Sequence, residues 1–403
     1  MRALARTGLL VAMAFAGGAV TSAGVASARH DSDSTYRHLA VFARVLNYVE
    51  NNYVDEVSPV ALIYGAIRGT LATLDPHSSF MEPEQYAALK SEARGEFGGI
   101  GVEVELRPEG VLIVERFEEA PAIRAGLRIG DHIVAVDGTS VKGLSLPEVV
   151  RRIKGRAGTR VVLTVRRAQD AALQTIPVIR DRIYIASVSA RRLEHDQAYI
   201  RIKSFTERTH HDMQRGLLAA TGDRPLKGLI LDMRDNPGGL LNEGVRVADT
   251  WLSEGVIVST EGRSGEPDVE FAHPKGTEPA YPIVVLVNGG TASAAEIVAG
   301  ALQDHKRGII VGTQTFGKGS VQTVIELEDG SALKLTIARY FTPAHRSIRG
   351  LGITPDVVVP RRAATEVSGN VGEKVTKVDN QLQAAIQMLR RQSGSKGRSG
   401  RAR

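Results

Sequence analysis

From residue 183 to 360 the chain alternates short, almost wholly apolar runs with stretches of helical periodicity, and that alternation admits few architectures. The runs at 198–202, 228–233, 283–287 and 308–311 read as strands, and 207–219, 240–253 and 294–305 read as helices. Such β–α alternation builds an α/β domain with at least partly parallel pairing. A further strand is expected at 333–340 and a last helix at 378–389; the chain carries no internal repeat.

The 403 residues leave room for two or three domains. An apolar share of 42% beside 24% charged residues describes a soluble globular protein with material for real cores. Ahead of the α/β segment, Leu39, Phe42, Val45, Leu46 and Val49, then Leu62, Ile67 and Leu71, recur at helical spacing. The helical pattern breaks near 55–59 and stops at Leu74, Asp75 and Pro76. A short helix at 83–93 completes an N-terminal helical segment, 36–94, read as a cap or a dimerisation element. The expected fold class is therefore α/β (α+β overall). A helical N-terminal segment precedes an inserted β-rich module at 95–182, an α/β core at 183–360 and a C-terminal segment with a helix at 361–389.

The formal net charge is +6, but six positive charges between Arg390 and Arg403 crowd into the last fifteen residues without one acid. The remainder is near neutral and has no basic face interleaved with aromatics, which argues against nucleic acid as a partner. The Ser/Gly/Arg/Lys tail at 390–403 is expected to be disordered. At the other end, Arg2 and Arg6, an apolar stretch at 9–20 and the small residues Ala26, Ser27 and Ala28 make an export signal of 1–28, with a polar linker at 29–35. The apolar stretch is short for a membrane span. An uncleaved signal holding the protein at the inner membrane is the alternative. With no cysteine, a lipoprotein anchor, a thiol nucleophile and a disulfide are all excluded. The expected location is periplasmic or otherwise extracytoplasmic.

Within 95–182, strands at 102–106, 111–114, 132–138 and 159–165 surround a helix at 146–154. The run AGLRIGDHIVAVDG (125–138) gives the module a specific likeness. It resembles a PDZ domain, with Gly99, Ile100, Gly101 and Val102 in the place of its carboxylate-binding loop. Consecutive backbone N–H groups freed by glycines make an anion-binding nest. A peptide tail would add as a strand at the sheet edge, its carboxylate in that nest.

Three glycine-bearing turns fall at strand ends in the α/β segment: 234–239, 288–296 and 315–322. Active sites of α/β folds lie at the carboxyl ends of strands. Ser293 precedes a helix, and Ser293 with Glu296 forms a capping box, a common helix start. The competing reading is a nucleophile with an exposed hydroxyl, the Ala294 N–H and the helix dipole stabilising an oxyanion. A serine nucleophile needs a base. Lys318, flanked by glycines, is the better candidate than His305, although a solvated turn lysine is the common case. An ordinary lysine, with a pKa of about 10.4, is neutral about once in 2,500 molecules at pH 7. Bringing it near neutrality requires desolvation, at about 4 kcal/mol to the charged form. If 318–322 is extended, Lys318 and Gln322 share a face, and Gln322 orients the amine without adding charge. Two decoys fail. The run ending at Gly317 and Lys318 nearly matches a phosphate-binding loop, but Gly319 stands where a magnesium-binding hydroxyl must be and a strand follows. Ser331 and Lys334 have S-x-x-K spacing, but in an extended pattern and not a helical turn.

Together these stretches are similar to the C-terminal processing peptidases, over about 36–389. The matching runs are LDPHSSF (74–80), EFGGIGVEV (96–104), LDMRDNPGGLL (231–241), NGGTASAAEI (288–297), GKGSVQ (317–322) and GITPDVVVP (352–360). The resemblance implies Ser293 as nucleophile, Lys318 as general base and Gln322 as the residue orienting it. The Ala294 N–H and one from Gly238 or Gly239 would form the oxyanion hole. It implies an endopeptidase that needs no metal or organic cofactor. It also implies a PDZ module that takes apolar C-terminal tails of protein substrates and gates the site. Thr291 and Ala295 replace serines common in the family, which should leave the mechanism untouched. The N-terminal and C-terminal helices suggest a homodimer, and an adaptor or activator protein is left open. The rival is a secreted, non-catalytic PDZ scaffold for C-terminal peptides, with Ser293 a helix cap and Lys318 a surface lysine.

Overall fold

A computed structural model describes residues 36–117, 119–167, 170–263, 265–362 and 379–399. The expected leader and linker, at 1–35, lie outside the described residues. The chain divides into two compact units, one ending at Phe80 and the other starting at Met81.

The first unit holds a helix at 36–52 and the helix Pro59–Ala72. Ser58 caps the second in an ordinary extended conformation (φ −83°), and Pro59 takes the first helical position, where no N–H is needed. The Asp75 carboxylate accepts from the N–H groups of His77 and Ser78 and from the Ser78 hydroxyl, closing the turn after the helix. Leu39, Phe42 and Val45 remain exposed.

In the second unit, the helix Pro83–Ala93 leads into the strand Glu96–Gly99. That helix was expected with the N-terminal segment but is compact with the larger unit. The strand pairs antiparallel with Asp181–Tyr184, so the chain enters and leaves the β-rich module on neighbouring strands. Inside the module an antiparallel sheet runs in the order Val102–Arg107, Gly110–Arg116, His132–Val136, Arg160–Arg167, Asp170–Ile179. The helix Leu146–Ile153 closes its core through Val149 and Ile153, against Ile113, Ile133 and Leu163. Among the described residues Val102–Arg107 is an edge strand, paired on one side.

The α/β core is a sheet ordered Val188–Leu193, Gln197–Ile202, Gly228–Asp232, Ile283–Val287, Ile309–Gly312, Val357–Val358. The first pair is antiparallel and the others are parallel. Apart from Asp232 at a strand end, its central strands are apolar because both faces are covered. Leu229, Leu231, Val285 and Val287 join one core, shared with the helices Thr209–Thr221, Leu241–Asp249 and Ala294–Asp304. Ile230, Val284 and Leu286 face the other way, onto Ala385 and Leu389 of the C-terminal helix Asn380–Ser399. That helix runs on to Ser399, past the end expected at 389, so the described part of the basic stretch, 390–399, is helical where disorder was expected. Arg and Gln are good helix formers, and cations near a C-terminus oppose the helix dipole favourably. A second antiparallel sheet contains the hairpin Ser320–Glu326 with Ala332–Phe341, continued by Val256–Gly262 and Pro267–Phe271.

Candidate active site

The three glycine turns converge at the carboxyl ends of the parallel strands, stitched by hydrogen bonds. The Ala292 N–H donates to Asn236 O (2.9 Å), the Thr291 hydroxyl to Met233 O (2.8 Å) and the Asp235 N–H to Asn288 Oδ1 (2.9 Å). The Phe316 N–H donates to Thr291 O (3.0 Å), which brings in the third turn. Thr291, expected to be indifferent, is fully buried and its hydroxyl ties two turns together.

Ser293 lies between strand and helix with φ +55° and ψ −120°. An ordinary capping serine is extended, as Ser58 (φ −83°) and Ser145 (φ −71°) are in this same chain. Ser293 therefore departs from the capping conformation and occupies a sparsely populated region of the kind that clusters at functional sites. Gly238 sits directly against it: a methyl group added there would lie 2.7 Å from Ser293 Cβ and 3.1 Å from the Ala294 nitrogen. The Gly238 N–H is held by Asn236 Oδ1 (2.9 Å). Among the described residues, neither the Ala294 N–H nor the Gly239 N–H has an acceptor in the protein.

Glu296 does more than cap. Its fully buried carboxyl group accepts from the N–H groups of Ser293 (2.8 Å), Gly317 (2.7 Å) and Lys318 (2.9 Å) and from the Thr315 hydroxyl (2.5 Å). One side chain thus fixes the backbone of Ser293 and of Lys318 together. Sequence reasoning placed Glu296 in a helix cap and missed this second hold; the available signal was a lone acid in the apolar helix AAEIVAGAL.

Lys318 is half-buried, just ahead of the strand Ser320–Glu326. Burial first, then the charge of Lys334, pushes its amine below the ordinary lysine value. Gln322 does not engage it. A bulge between Val321 and Gln322 breaks the expected alternation, and the Gln322 amide donates to Ser320 O (3.2 Å) and Oγ (2.6 Å). Among the described residues no hydrogen bond joins Lys318 Nζ to Ser293 Oγ.

In the β-rich module, Gly99, Ile100, Gly101 and Val102 bridge the entry strand and the unpaired edge. The Ile100 carbonyl accepts from the Ala122 N–H (2.9 Å) and the Gly101 carbonyl from the Phe117 N–H (3.0 Å). Gly101 has φ +72°, and a methyl group there would meet Ala120 Cβ at 2.4 Å. The Ile100 side chain is buried in the module's core, so this residue can offer a ligand only its backbone.

Residues 196–359 match Peptidase family S41, 114–167 match the PDZ domain and 4–85 match the activating protease CtpB N-terminal domain. A carboxy-terminal-processing protease of Bartonella bacilliformis is 42% identical, over 84% of this chain and 79% of that protein. The chain belongs to the carboxyl-terminal-processing proteases of family S41. A carboxyl-terminal-processing protease of Synechocystis sp. is 38% identical over 81% of this chain and 76% of its own length. Among solved structures, a photosystem II D1 C-terminal processing protease is 35% identical over 80% of this chain and 92% of that one, with a TM-score of 0.47. This S41 member is thus a serine peptidase carrying a PDZ domain. The N-terminal match overlaps the stretch read as a leader. Among the described residues no helix is long and apolar enough to cross a membrane.

Proposed function

We propose that this peptidase cuts by a Ser293–Lys318 acyl-enzyme mechanism and finds its substrates by their C-terminal tails. The observation that carries the reading is Ser293 held at positive φ by the same Glu296 carboxyl group that holds Lys318. Neutral Lys318 Nζ takes the proton of Ser293 Oγ as that oxygen bonds to the peptide carbonyl carbon. The oxyanion lies against the N–H groups of Ala294 and Gly239, both without an acceptor; Gly238 supplies the close approach and not the donor. Collapse breaks the C–N bond, the departing nitrogen takes the proton from Lys318, and water then hydrolyses the ester.

The loop of Gly99, Ile100, Gly101 and Val102 receives the tail's carboxylate, and the tail pairs with the edge strand Val102–Arg107. Among the described residues no hydrogen bond joins Lys318 to Ser293, and Gln322 is turned to Ser320, an arrangement that suits a resting enzyme awaiting a tail. On tail binding Gln322 swings to orient the amine. The export signal puts the reaction outside the cytoplasm. Exposed Leu39, Phe42 and Val45 support a homodimer, which sedimentation of the purified protein checks.

Cleavage of an unfolded protein with and without an apolar C-terminal tail tests the reading. Wild type should cut the tailed form faster, and Ser293→Ala and Lys318→Ala should each abolish cutting. Near-normal activity in Lys318→Ala would refute the assigned base. Tail binding without any cutting by wild type would favour the scaffold.

A further inference from the structure

The turn that meets Ser293 is gripped from the far side of the sheet. Arg234, the first residue of that turn, is buried, and all five of its guanidinium N–H groups are engaged. Two go to the fully buried carboxylate of Asp232, from Nε (2.9 Å) and Nη2 (2.6 Å). Two more go to Asp379 at the start of the C-terminal helix, from Nη1 (3.0 Å) and Nη2 (2.8 Å). The fifth goes from Nη1 to Gln381 Oε1 (3.0 Å). Asp379 also accepts from the N–H groups of Gln381 and Leu382, so it caps the helix while holding the arginine. Tyr199 donates to Asp232 Oδ2 as well (2.7 Å).

A forked guanidinium gripping two carboxylates fixes direction as well as position. The helix is docked independently by apolar contact, since Ala385 and Leu389 are buried against Ile230, Val284 and Leu286. The ionic contact falls instead at the end of the helix nearest the turn, four residues before Gly238. From Arg234 the chain passes through Asp235 (φ +59°) and the buried Asn236, which holds the Gly238 N–H and donates to Ile202 O.

We propose that Asp379 is a positioning residue for the peptidase site: through Arg234 it fixes the turn that presents Gly238 and Gly239 to Ser293. This rests on the reading of that turn as part of the oxyanion hole. The start of the C-terminal helix then positions the oxyanion turn, and loss of that first turn loosens the oxyanion donor while the tail site stays intact.

The test uses the full chain, a tailed protein substrate and a fluorescent tail peptide. Asp379→Asn should lower kcat about ten-fold or more, with KM and tail Kd within about two-fold, because misplaced oxyanion donors act on the transition state alone. Asp379→Glu should recover part of the loss. Leu389→Ala loosens the same helix from its apolar end and should keep kcat within about two-fold well below its Tm. Gln381→Ala keeps both charges and should give a smaller kcat loss of the same kind, and it carries the test if Asp379→Asn does not fold. An Asp379→Asn enzyme with wild-type kcat overturns the inference. So does a Leu389→Ala enzyme that loses as much kcat for the same fall in Tm. Ser293→Ala is run alongside: dead Ser293→Ala with fully active Asp379→Asn removes the clamp alone, whereas active Ser293→Ala removes the catalytic reading beneath it.

Discussion

A lysine that is to be neutral near pH 7 cannot keep all the water around its amine, and Lys318 is half-buried, as the proposed role of base requires. Lys334, on the strand Ala332–Phe341 across the hairpin, adds a like charge that disfavours the protonated form further. The proposed mechanism requires the unprotonated amine, so kcat/KM should rise with pH as Lys318 loses its proton. Replacing Lys334 with Met removes the neighbouring charge and moves the Lys318 pKa back up. The acid limb of the kcat/KM profile should therefore shift to higher pH, with activity at neutral pH reduced and recovered in more alkaline buffer. A limb that stays in place would mean that Lys334 does not act on the base. Sequence had set Lys334 aside with a failed S-x-x-K motif; its relevance follows from hairpin pairing, which spacing along one strand cannot reveal. Ser293 and Lys318 were legible as types in glycine turns. The positive φ of Ser293 and the double hold of Glu296 were not, because both arise only when separate turns meet.

At the scale of elements, the strands covered on both faces were the easiest to read: 283–287 was expected and Ile283–Val287 is observed. Val256–Gly262 and Pro267–Phe271 were missed, since their half-exposed positions carry no continuous apolar run. The bulge at Val321 and Gln322 was invisible for a different reason: it is set by the partner strand. Close backbone approach is equally silent in sequence until both chains are placed. Gly98 precedes the loop proposed to bind the tail, and its carbonyl accepts from the Gly155 N–H (3.1 Å) just past the helix Leu146–Ile153. A methyl group at Gly98 would lie 2.0 Å from Gly155 O, against backbone that cannot swing aside. Gly98→Ala should therefore push the loop away from that helix. The expected outcome is a tail Kd weakened about ten-fold and a stability loss of about 1–3 kcal/mol, read by fluorescence anisotropy and denaturant unfolding. Unchanged tail affinity would place the carboxylate elsewhere.

Across the whole molecule, the PDZ domain hangs from the peptidase core by two adjacent strands, which is how an inserted domain can move without tearing the fold. The Glu207 N–H bonds to Ala93 O (2.9 Å) and the Ile185 N–H to Gly95 O (2.9 Å) at this junction. Beside them the Tyr184 hydroxyl donates to Asp212, a buried acid on the helix Thr209–Thr221, while Arg208 lies over the Tyr184 ring at 4.5 Å. Burial, with the Asp212 bond, pushes the Tyr184 phenol up to about 12, so it remains a donor at neutral pH. This contact is made in an arrangement where Lys318 and Ser293 are not bonded, the one assigned to the resting enzyme. A contact present at rest and lost on activation, at about 1 kcal/mol, biases the two populations about five-fold. Tyr184→Phe keeps the ring under Arg208 and removes only the hydroxyl. Cutting of a substrate without a tail should then rise relative to the tailed one, and the tailed-to-tailless rate ratio should fall about five-fold. An unchanged ratio, with the variant less stable, would mean that the contact persists in both states and serves the junction alone.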